Sequence, residues 1–284
     1  MKPLKLVLIL LFFVGTVCAQ DSVTIGRYRT IESKMLGGKV TYLEHLPDGY
    51  KESNKEYPVI VMMNGHIIPT FANAGATIDN LSGDRIPDMI LIGIANEGVA
   101  QDYWACPNDS GIVEGGETFH RFLQEELRPE IKKSYRTNGY TILSGQSNTG
   151  LYVLYNFLFY PELFSAYIVA SPMLGWCPDF FLAKTKSFLA ENPALSKKFY
   201  VAYGDIDYAE VLDHINDFRE LLKGAPESLK WRIDRIENTG HVPFITMNNA
   251  LLFFFSECTL TPAMRKQSVA EINSHSPRLS ASRG

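Results

Sequence analysis

A serine lies between two glycines in the stretch "GQSNTG", residues 145–150, which joins an apolar run typical of a strand to one typical of a helix. A serine hydroxyl is a weak nucleophile at neutral pH and needs an imidazole that takes its proton. The imidazole in turn needs a carboxylate that fixes its tautomer and stabilises its protonated form. Ser147 is therefore a candidate nucleophile if a histidine and an acid reach it, and otherwise it is only the N-cap of a helix.

Two later segments supply the missing groups. Asp207 ends the stretch "GDID", and His241 follows 34 residues later in "GHVP"; both come directly after strand-like runs. The interval between them holds one helix and one strand, so the order Ser147, Asp207, His241 predicts a catalytic triad. Asp205 is the alternative acid. The Gly-x-x-Asp spacing favours Asp207, in which case Asp205 would cap or brace the loop.

The serine turn departs from the common G-x-S-x-G pattern, because Thr149 stands where glycine is usual. A strand and a helix approach closely at such a turn, so the flanking residues must be small. Gly145 and Gly150 keep much of that clearance, and the turn has to accommodate the branched side chain of Thr149.

Acyl transfer also needs N–H donors for the negative charge that develops on the carbonyl oxygen. One candidate is the N–H of Asn148, and the second is the N–H of His66 or Ile67, in the loop after the strand-like run 57–63.

Aromatic and apolar side chains in the loops that follow the strands are candidate substrate contacts. They would suit an apolar group or a sugar ring, although such residues more often only pack the loops together. The candidates are Trp104, Met173, Trp176 and Phe244.

Strand-like and helix-like runs alternate along the chain, which predicts an α/β fold: a mainly parallel, doubly wound sheet with helices on both faces. In such sheets, sites form at the carboxyl ends of the strands, so the candidate residues should meet at one edge. The predicted strands are 38–46, 57–63, 89–95, 140–144, 164–171, 199–203 and 231–236, and the predicted helices are 117–135, 151–159, 180–190, 213–222 and 243–255.

Residues 1–19 have the pattern of a secretory signal peptide: a short basic start, an apolar run, and small or short-branched residues before the cleavage point. The apolar run is too short to span a bilayer. We therefore expect a secreted or periplasmic protein, with a retained N-terminal anchor as the alternative. The remainder divides into an α/β domain, residues 20–258, and a polar tail, residues 259–284, in which residues 263–273 could form a short docking helix.

The formal net charge is −4, and it becomes −6 when Lys2 and Lys5 leave with the signal peptide. An acidic chain is a poor partner for nucleic acid or for an anionic membrane surface. We expect a small-molecule or carbohydrate ester as substrate, no nucleic acid, and no membrane contact after signal removal.

Three cysteines remain after processing: Cys106, Cys177 and Cys258. None forms a C-x-x-C pair, so the sequence predicts no metal site, and no motif indicates an organic cofactor. A disulfide between Cys106 and Cys177, which both follow strand-like runs, and three unpaired thiols are equally consistent with the sequence.

Several stretches occur in an order that resembles the putative esterases of the α/β-hydrolase superfamily, in particular the branch with the periplasmic ferri-enterobactin esterases and esterase D. They are "YPVIVMMNGH", "IPDMILIGIAN", "FLQEELRPEIKKSYRT", "SGQSNTG", "YPELFSAYIVASP" and "GHVPF". The resemblance spans roughly residues 35–256 and implies the α/β-hydrolase fold. It also implies an ester hydrolase with Ser147 as nucleophile, His241 as base and an acid near Asp207.

Two segments depart from the family pattern. Family turns usually read Gly-His-Ser-x-Gly-Gly, where this chain has Gln146 and Thr149. Siderophore-cleaving members also carry an arginine in the loop after the strand that corresponds to residues 89–95, whereas this chain has "GVAQDYWACPND". A triply anionic ferric catecholate requires cationic contacts. The resemblance therefore implies the reaction type and not a siderophore substrate.

Three functions are compatible with these residues. The first is an exported serine carboxylic-ester hydrolase that forms an acyl-enzyme, and the complete set of serine, acid and histidine favours it. The second is a catalytically inactive binding protein on the same fold, which Thr149 favours. The third is an acyltransferase that passes the acyl group to an acceptor other than water.

Overall fold

The computed structural model of the protein describes residues 24–95 and 103–256. The predicted signal peptide, the polar tail with its docking helix, and Cys258 lie outside the described residues. Within the described ranges, no helix is long and apolar enough to cross a membrane.

Eight strands form one sheet. They are β1 Arg27–Ser33, β2 Gly38–His45, β3 Tyr57–Met62, β4 Ile90–Ala95, β5 Thr137–Gln146, β6 Ala166–Ala170, β7 Lys198–Gly204 and β8 Lys230–Ile236. Their order across the sheet is β1-β2-β4-β3-β5-β6-β7-β8. The six strands β3, β4, β5, β6, β7 and β8 are parallel to one another, and β2 is antiparallel to both β1 and β4. The predicted mainly parallel sheet is confirmed.

Helices cover both faces of the sheet, as predicted. They are α1 Ile68–Leu81, α2 Glu114–Arg121, α3 Arg128–Ser134, α4 Asn148–Phe159, α5 Pro178–Glu191, α6 Ala209–Leu222 and α7 Thr246–Phe254. Alternate residues of β3 enter different cores: Val59 and Val61 belong to the cluster with α2 to α6, and Ile60 and Met62 to the cluster with α1 and α7. Because both faces are covered, the strands β3, β4 and β6 consist almost entirely of apolar residues.

The sequence did not indicate β1 or α1. Most side chains of β1 are exposed, so its sequence shows no apolar alternation. Its position is fixed from one side by Arg29, which lies 2.8 Å from the buried carboxylate of Glu44 on β2. In α1, Phe71, Ala74 and Ile78 are buried at helical spacing, but the small alanine weakens the apolar signal.

The predicted helix 117–135 is a chain of three segments: α2, a π-helical segment Phe122–Leu127, and α3. Pro129 lies in the first turn of α3. It has no N–H to donate to the preceding turn and its ring clashes with the carbonyl four residues earlier, which favours the wider turn before it. The apolar face predicted for this stretch is nevertheless buried along its whole length.

The loop after β3 crosses β4 at very short distance. Asn64 has a φ of 60°, and the N–H of Gly65 donates to the carbonyl oxygen of Ile94 at 2.6 Å. A Cβ atom on Gly65 would lie 2.2 Å from the carbonyl carbon of Gly93, so only glycine allows this crossing. The crossing sets the position of His66, the next residue.

We expect Gly65→Ala to lower the free energy of unfolding by about 2–4 kcal/mol, because backbone of β4 must move to admit the new methyl group. Gly38→Ala is the matched control: a Cβ atom there meets nothing within 4 Å, and the change should stay within about 0.5 kcal/mol. Urea unfolding of the two variants measures the difference. Equal unfolding free energies would contradict the close crossing.

Candidate active site

Ser147 forms the sharp turn between β5 and α4. Its backbone has φ 56° and ψ −123°, a conformation that non-glycine residues rarely adopt and that costs on the order of 1–3 kcal/mol. The turn is held by the N–H of Ser147, which donates to the carbonyl oxygen of Ala170 at 2.9 Å. Cβ atoms on Gly145 and Gly150 would lie 2.5 Å from the Thr149 carbonyl oxygen and 3.0 Å from that of Ala170, so both positions need the clearance of glycine.

The imidazole of His241 lies between the serine and an acid. Its Nε2 atom is 2.8 Å from Ser147 Oγ, and its Nδ1 atom is 2.6 Å from Asp207 Oδ1. The Asp207 side chain is fully buried, and the His241 side chain is 21% exposed. In this arrangement Nε2 can accept the hydroxyl proton while the carboxylate holds Nδ1–H. The structure thus brings together the three residues predicted as a triad.

Asp205 has a different position from Asp207. Its Oδ1 atom accepts a hydrogen bond from the N–H of Thr239 at 3.1 Å, and its Oδ2 atom lies 3.5 Å from the guanidinium of Arg235. The Thr239 hydrogen bond lowers the pKa of Asp205 below its usual value, and the charge of Arg235 acts in the same direction. Asp205 therefore braces the loop that leads to His241, which is the alternative role expected for it.

Ser171, at the end of β6, was not singled out in the sequence. Its Oγ atom donates to Asp207 Oδ2 at 2.6 Å and accepts from the N–H of Val242 at 2.9 Å. The residue is fully buried, and its φ of 47° turns the side chain under the loop. One hydroxyl thus holds both the acid and the residue after His241. The only sequence signal was a small polar residue at the carboxyl end of a strand.

Thr149 makes hydrogen bonds in place of the usual glycine. Its hydroxyl donates to the carbonyl oxygen of Gln146 at 2.8 Å and accepts from the Gln146 N–H at 3.0 Å. It also accepts from Asn64 Nδ2 at 3.1 Å. The buried side chain therefore closes the serine turn and ties it to the loop after β3, so its extra bulk does not displace Ser147.

Two backbone N–H groups are suited to an oxyanion. Asn148 is the first residue of α4, where helical N–H groups have no partner within the helix and the helix dipole favours negative charge. The N–H of His66 donates to no acceptor among the residues that the structure describes. The N–H of Ile67, the alternative, donates to the carbonyl oxygen of Asn64 at 3.0 Å. Of the two predicted second donors, His66 is therefore the one left available.

The predicted substrate contacts fall into two groups. Trp104 and Trp176 are 44% and 40% exposed, and their rings stack with centroids 5.0 Å apart. Phe244, in the loop after His241, is 60% exposed. Met173, by contrast, is only 7% exposed and packs in the larger core, so it offers little surface to a substrate.

A disulfide joins the loops that carry the two tryptophans. It links Cys106 to Cys177, whose Cα atoms are 5.9 Å apart. Of the two alternatives that the sequence left open for these thiols, the structure has the disulfide.

The described residues hold no cluster of three or more histidine, cysteine or acidic side chains that could bind a metal. A cavity of about 50 Å³ lies between the sheet and helices α1 and α7. It is lined by Gln146 and Val242, the neighbours of Ser147 and His241, but not by the two catalytic candidates themselves. Its lining also includes Phe244, one of the predicted substrate contacts.

The family model "Putative esterase" matches residues 33–205. Over 77 residues the chain is 39% identical to the ferri-bacillibactin esterase BesA of Bacillus subtilis (strain 168); this match spans 27% of the chain and 27% of that protein. Among solved structures, an IroE-like serine hydrolase from Shewanella oneidensis has a TM-score of 0.76 at 24% identity, covering 87% of this chain and 85% of that one. The siderophore hydrolase EstA from Aspergillus nidulans has a TM-score of 0.70 at 17% identity, covering 85% and 99%. These likenesses show the α/β-hydrolase fold.

We expect Asp207→Asn to lower kcat for p-nitrophenyl acetate by about 10³- to 10⁴-fold, because the amide cannot hold the required imidazole tautomer. Asp205→Asn, the matched control, leaves that contact intact and should cost less than about tenfold. Initial rates of nitrophenolate release measure both. The reverse ranking would assign the acid to Asp205.

Ser171→Ala should lower kcat by about 10- to 100-fold with KM unchanged, because the Asp207 carboxylate loses a charge-assisted hydrogen bond. Ser171→Gly removes the same hydroxyl but suits the positive φ, so it separates the hydroxyl from backbone strain. Both variants should lose the same rate while their thermal midpoints differ. Unchanged kcat in either variant would show that the hydrogen bond from Ser171 to Asp207 does not contribute to catalysis.

Proposed function

The chain belongs to the "Putative esterase" family, and from that membership we propose that it is a serine carboxylic-ester hydrolase working through an acyl-enzyme. The observation that carries the proposal is the continuous hydrogen-bonded path from Ser147 Oγ through the His241 imidazole to the Asp207 carboxylate. The path combines an activated nucleophile, a general base and an orienting acid.

In the first half of the reaction, Ser147 Oγ attacks the ester carbonyl carbon and its proton passes to His241 Nε2. Asp207, which is buried, stabilises the imidazolium through Nδ1–H. The N–H groups of Asn148 and His66 donate to the oxyanion. When the tetrahedral intermediate collapses, the alcohol leaves with the proton of His241, and the acyl group stays on Ser147 Oγ as an ester.

In the second half, His241 takes a proton from water, and the resulting hydroxide attacks the acyl carbon. The second tetrahedral intermediate expels Ser147 Oγ, which recovers its proton from the imidazolium. The products are a carboxylic acid and the alcohol, and the enzyme returns to its starting state. No metal or organic cofactor enters these steps.

The same contacts favour a working enzyme over an inactive binding protein. Thr149 was the main sequence feature in favour of inactivity, but its hydroxyl makes hydrogen bonds within the turn and to Asn64. Ser147 has the positive φ that is common at functional sites, and its Oγ atom lies 2.8 Å from His241 Nε2.

Export is part of the proposal. Disulfides persist in oxidising compartments and are rare in the cytosol. The Cys106–Cys177 bridge and the signal-peptide pattern of residues 1–19 therefore support a secreted or periplasmic enzyme.

We expect Ser147→Ala to abolish cleavage of p-nitrophenyl acetate and labelling by a fluorophosphonate probe, while the thermal midpoint stays within a few degrees. The nucleophile is lost but no core contact is. Ser187→Ala, on α5, is the matched control and should keep both activities. Peptide mapping of the labelled wild-type protein should place the adduct on Ser147. Turnover equal to the wild type in Ser147→Ala would refute the proposed function.

A further inference from the structure

Exposed apolar side chains are concentrated at the edge of the sheet that carries Ser147. Among the described residues, all the large exposed hydrophobic side chains except Ile25, Tyr28 and Ile68, the first residue of α1, lie on the connections that leave the carboxyl ends of strands. Isolated exposed hydrophobic residues are normal on a protein surface, but a cluster around one site indicates a binding surface. The main members are Trp104, Ile112, Trp176, Ile206, Tyr208 and Phe244, which we call the apolar rim.

Contacts within the fold connect this rim directly to the catalytic residues. Tyr103, the residue before Trp104, accepts a hydrogen bond from Asn148 Nδ2 at 3.3 Å, beside the nucleophile. On the other side, the ring of Tyr208 lies 4.6 Å from that of His241. The turn that carries Trp176 packs against the start of α6, next to Tyr208. The rim therefore flanks the position of the ester on two sides.

The two tryptophans have a fixed arrangement. Their rings are stacked at an interplanar angle of 24°, and the disulfide joins Cys106, two residues after Trp104, to Cys177, directly after Trp176. A rigid pair of indoles loses little conformational entropy when a flat apolar group packs against it.

The charged side chains on the connections at this edge are acidic. The connections after the six parallel strands contain no lysine or arginine, but they contain Asp109, Asp205, Asp207 and Glu237. Near the site, Arg235 at the end of β8 faces Asp205, and on the distant β1–β2 hairpin Lys39 pairs with Glu32. The connections at the opposite edge of the sheet carry charges of both signs. Their basic residues are Lys51, Lys55, Arg85, Arg136, Lys197 and Lys223, and their acidic residues are Asp48, Glu52, Glu56, Asp84, Asp88, Glu162 and Glu227.

We propose that the substrate of this site is a neutral ester with a flat apolar group, and that the rim rejects anionic esters. This inference rests on the proposed function. An anionic group would be desolvated against apolar side chains next to carboxylates, and Arg235, the cation near the site, already faces Asp205. A carbohydrate would instead need several polar side chains converging on its hydroxyl groups, which the rim residues do not supply.

The test compares kcat/KM for three p-nitrophenyl esters: the butyrate, the hemisuccinate, whose chain has the same length but ends in a carboxylate, and the 3-phenylpropanoate. We expect the phenylpropanoate to be the best substrate and the hemisuccinate at least about tenfold worse than the butyrate, with a smaller gap at high salt. Equal or better cleavage of the hemisuccinate would overturn the inference.

Substitutions test whether the rim residues cause the preference for the phenylpropanoate and the rejection of the hemisuccinate. Trp104→Ala and Trp176→Ala should each lower the ratio of phenylpropanoate to butyrate kcat/KM by about two- to tenfold. Ile206→Lys, at a side chain that is 70% exposed, should raise kcat/KM for the hemisuccinate about two- to fivefold, whereas Ile206→Gln should not. Tyr28→Ala and Tyr28→Lys place the same changes on an exposed residue of β1 and should alter neither ratio. Unchanged ratios in the rim variants would overturn the inference.

Two further outcomes would also contradict it. If an acetylated sugar exceeds the phenylpropanoate in kcat/KM, the site is built for carbohydrate. If the preference for the phenyl group appears only above the solubility limit of the ester, where it forms an emulsion, the rim contacts a lipid surface instead. Failure of the inference is distinct from failure of the proposed function, because p-nitrophenyl acetate would still be cleaved in a Ser147-dependent way.

Discussion

The backbone of Ser147 is the constraint on which the site depends. Ser147 has a positive φ between β5 and α4, which directs its side chain out of the sheet edge. The surrounding residues must stabilise this backbone conformation. Three features do so: the hydrogen bond to Ala170, the absence of a side chain at Gly145, and the hydroxyl of Thr149 closing the turn. The parallel strands on either side keep these features in register, so Ser147 is positioned by the core of the sheet.

The second requirement is a buried negative charge at Asp207. A carboxylate out of contact with water must be satisfied by donors. Here the donors are the imidazole of His241, the hydroxyl of Ser171 and the N–H groups of Tyr208 and Gly204. All four lie at the carboxyl ends of neighbouring strands. The parallel order β5-β6-β7-β8 is therefore what gathers Ser147, His241 and the groups around Asp207 in one place.

The sequence predicted the parts of the fold that have strong local patterns. The strands β3, β4, β6 and β7 are short, mainly apolar runs because both of their faces are covered, and this pattern was sufficient to infer a parallel sheet and its edge. The same reasoning predicted which of two aspartates would lie beside the histidine. β1 was not predicted because it is the outermost strand of the sheet and most of its side chains are exposed.

The contacts made by Ser171 and Thr149 were beyond sequence reasoning for a different reason. A serine at the end of a strand has no special pattern, and its role follows only from a φ of 47° that points it under a loop 71 residues away. Likewise, the hydrogen bonds of Thr149 depend on Asn64, which approaches only because Gly65 can cross Gly93. Such long-range contacts come from tertiary geometry, which local propensity does not encode.

The contact between Thr149 and Asn64 makes the two positions interdependent. A glycine at 149 would match the common motif, yet it would remove an acceptor from the Asn64 amide and from the Gln146 N–H at the same time. Any attempt to graft the usual turn onto this scaffold would therefore have to redesign both loops together, as a single exchangeable module.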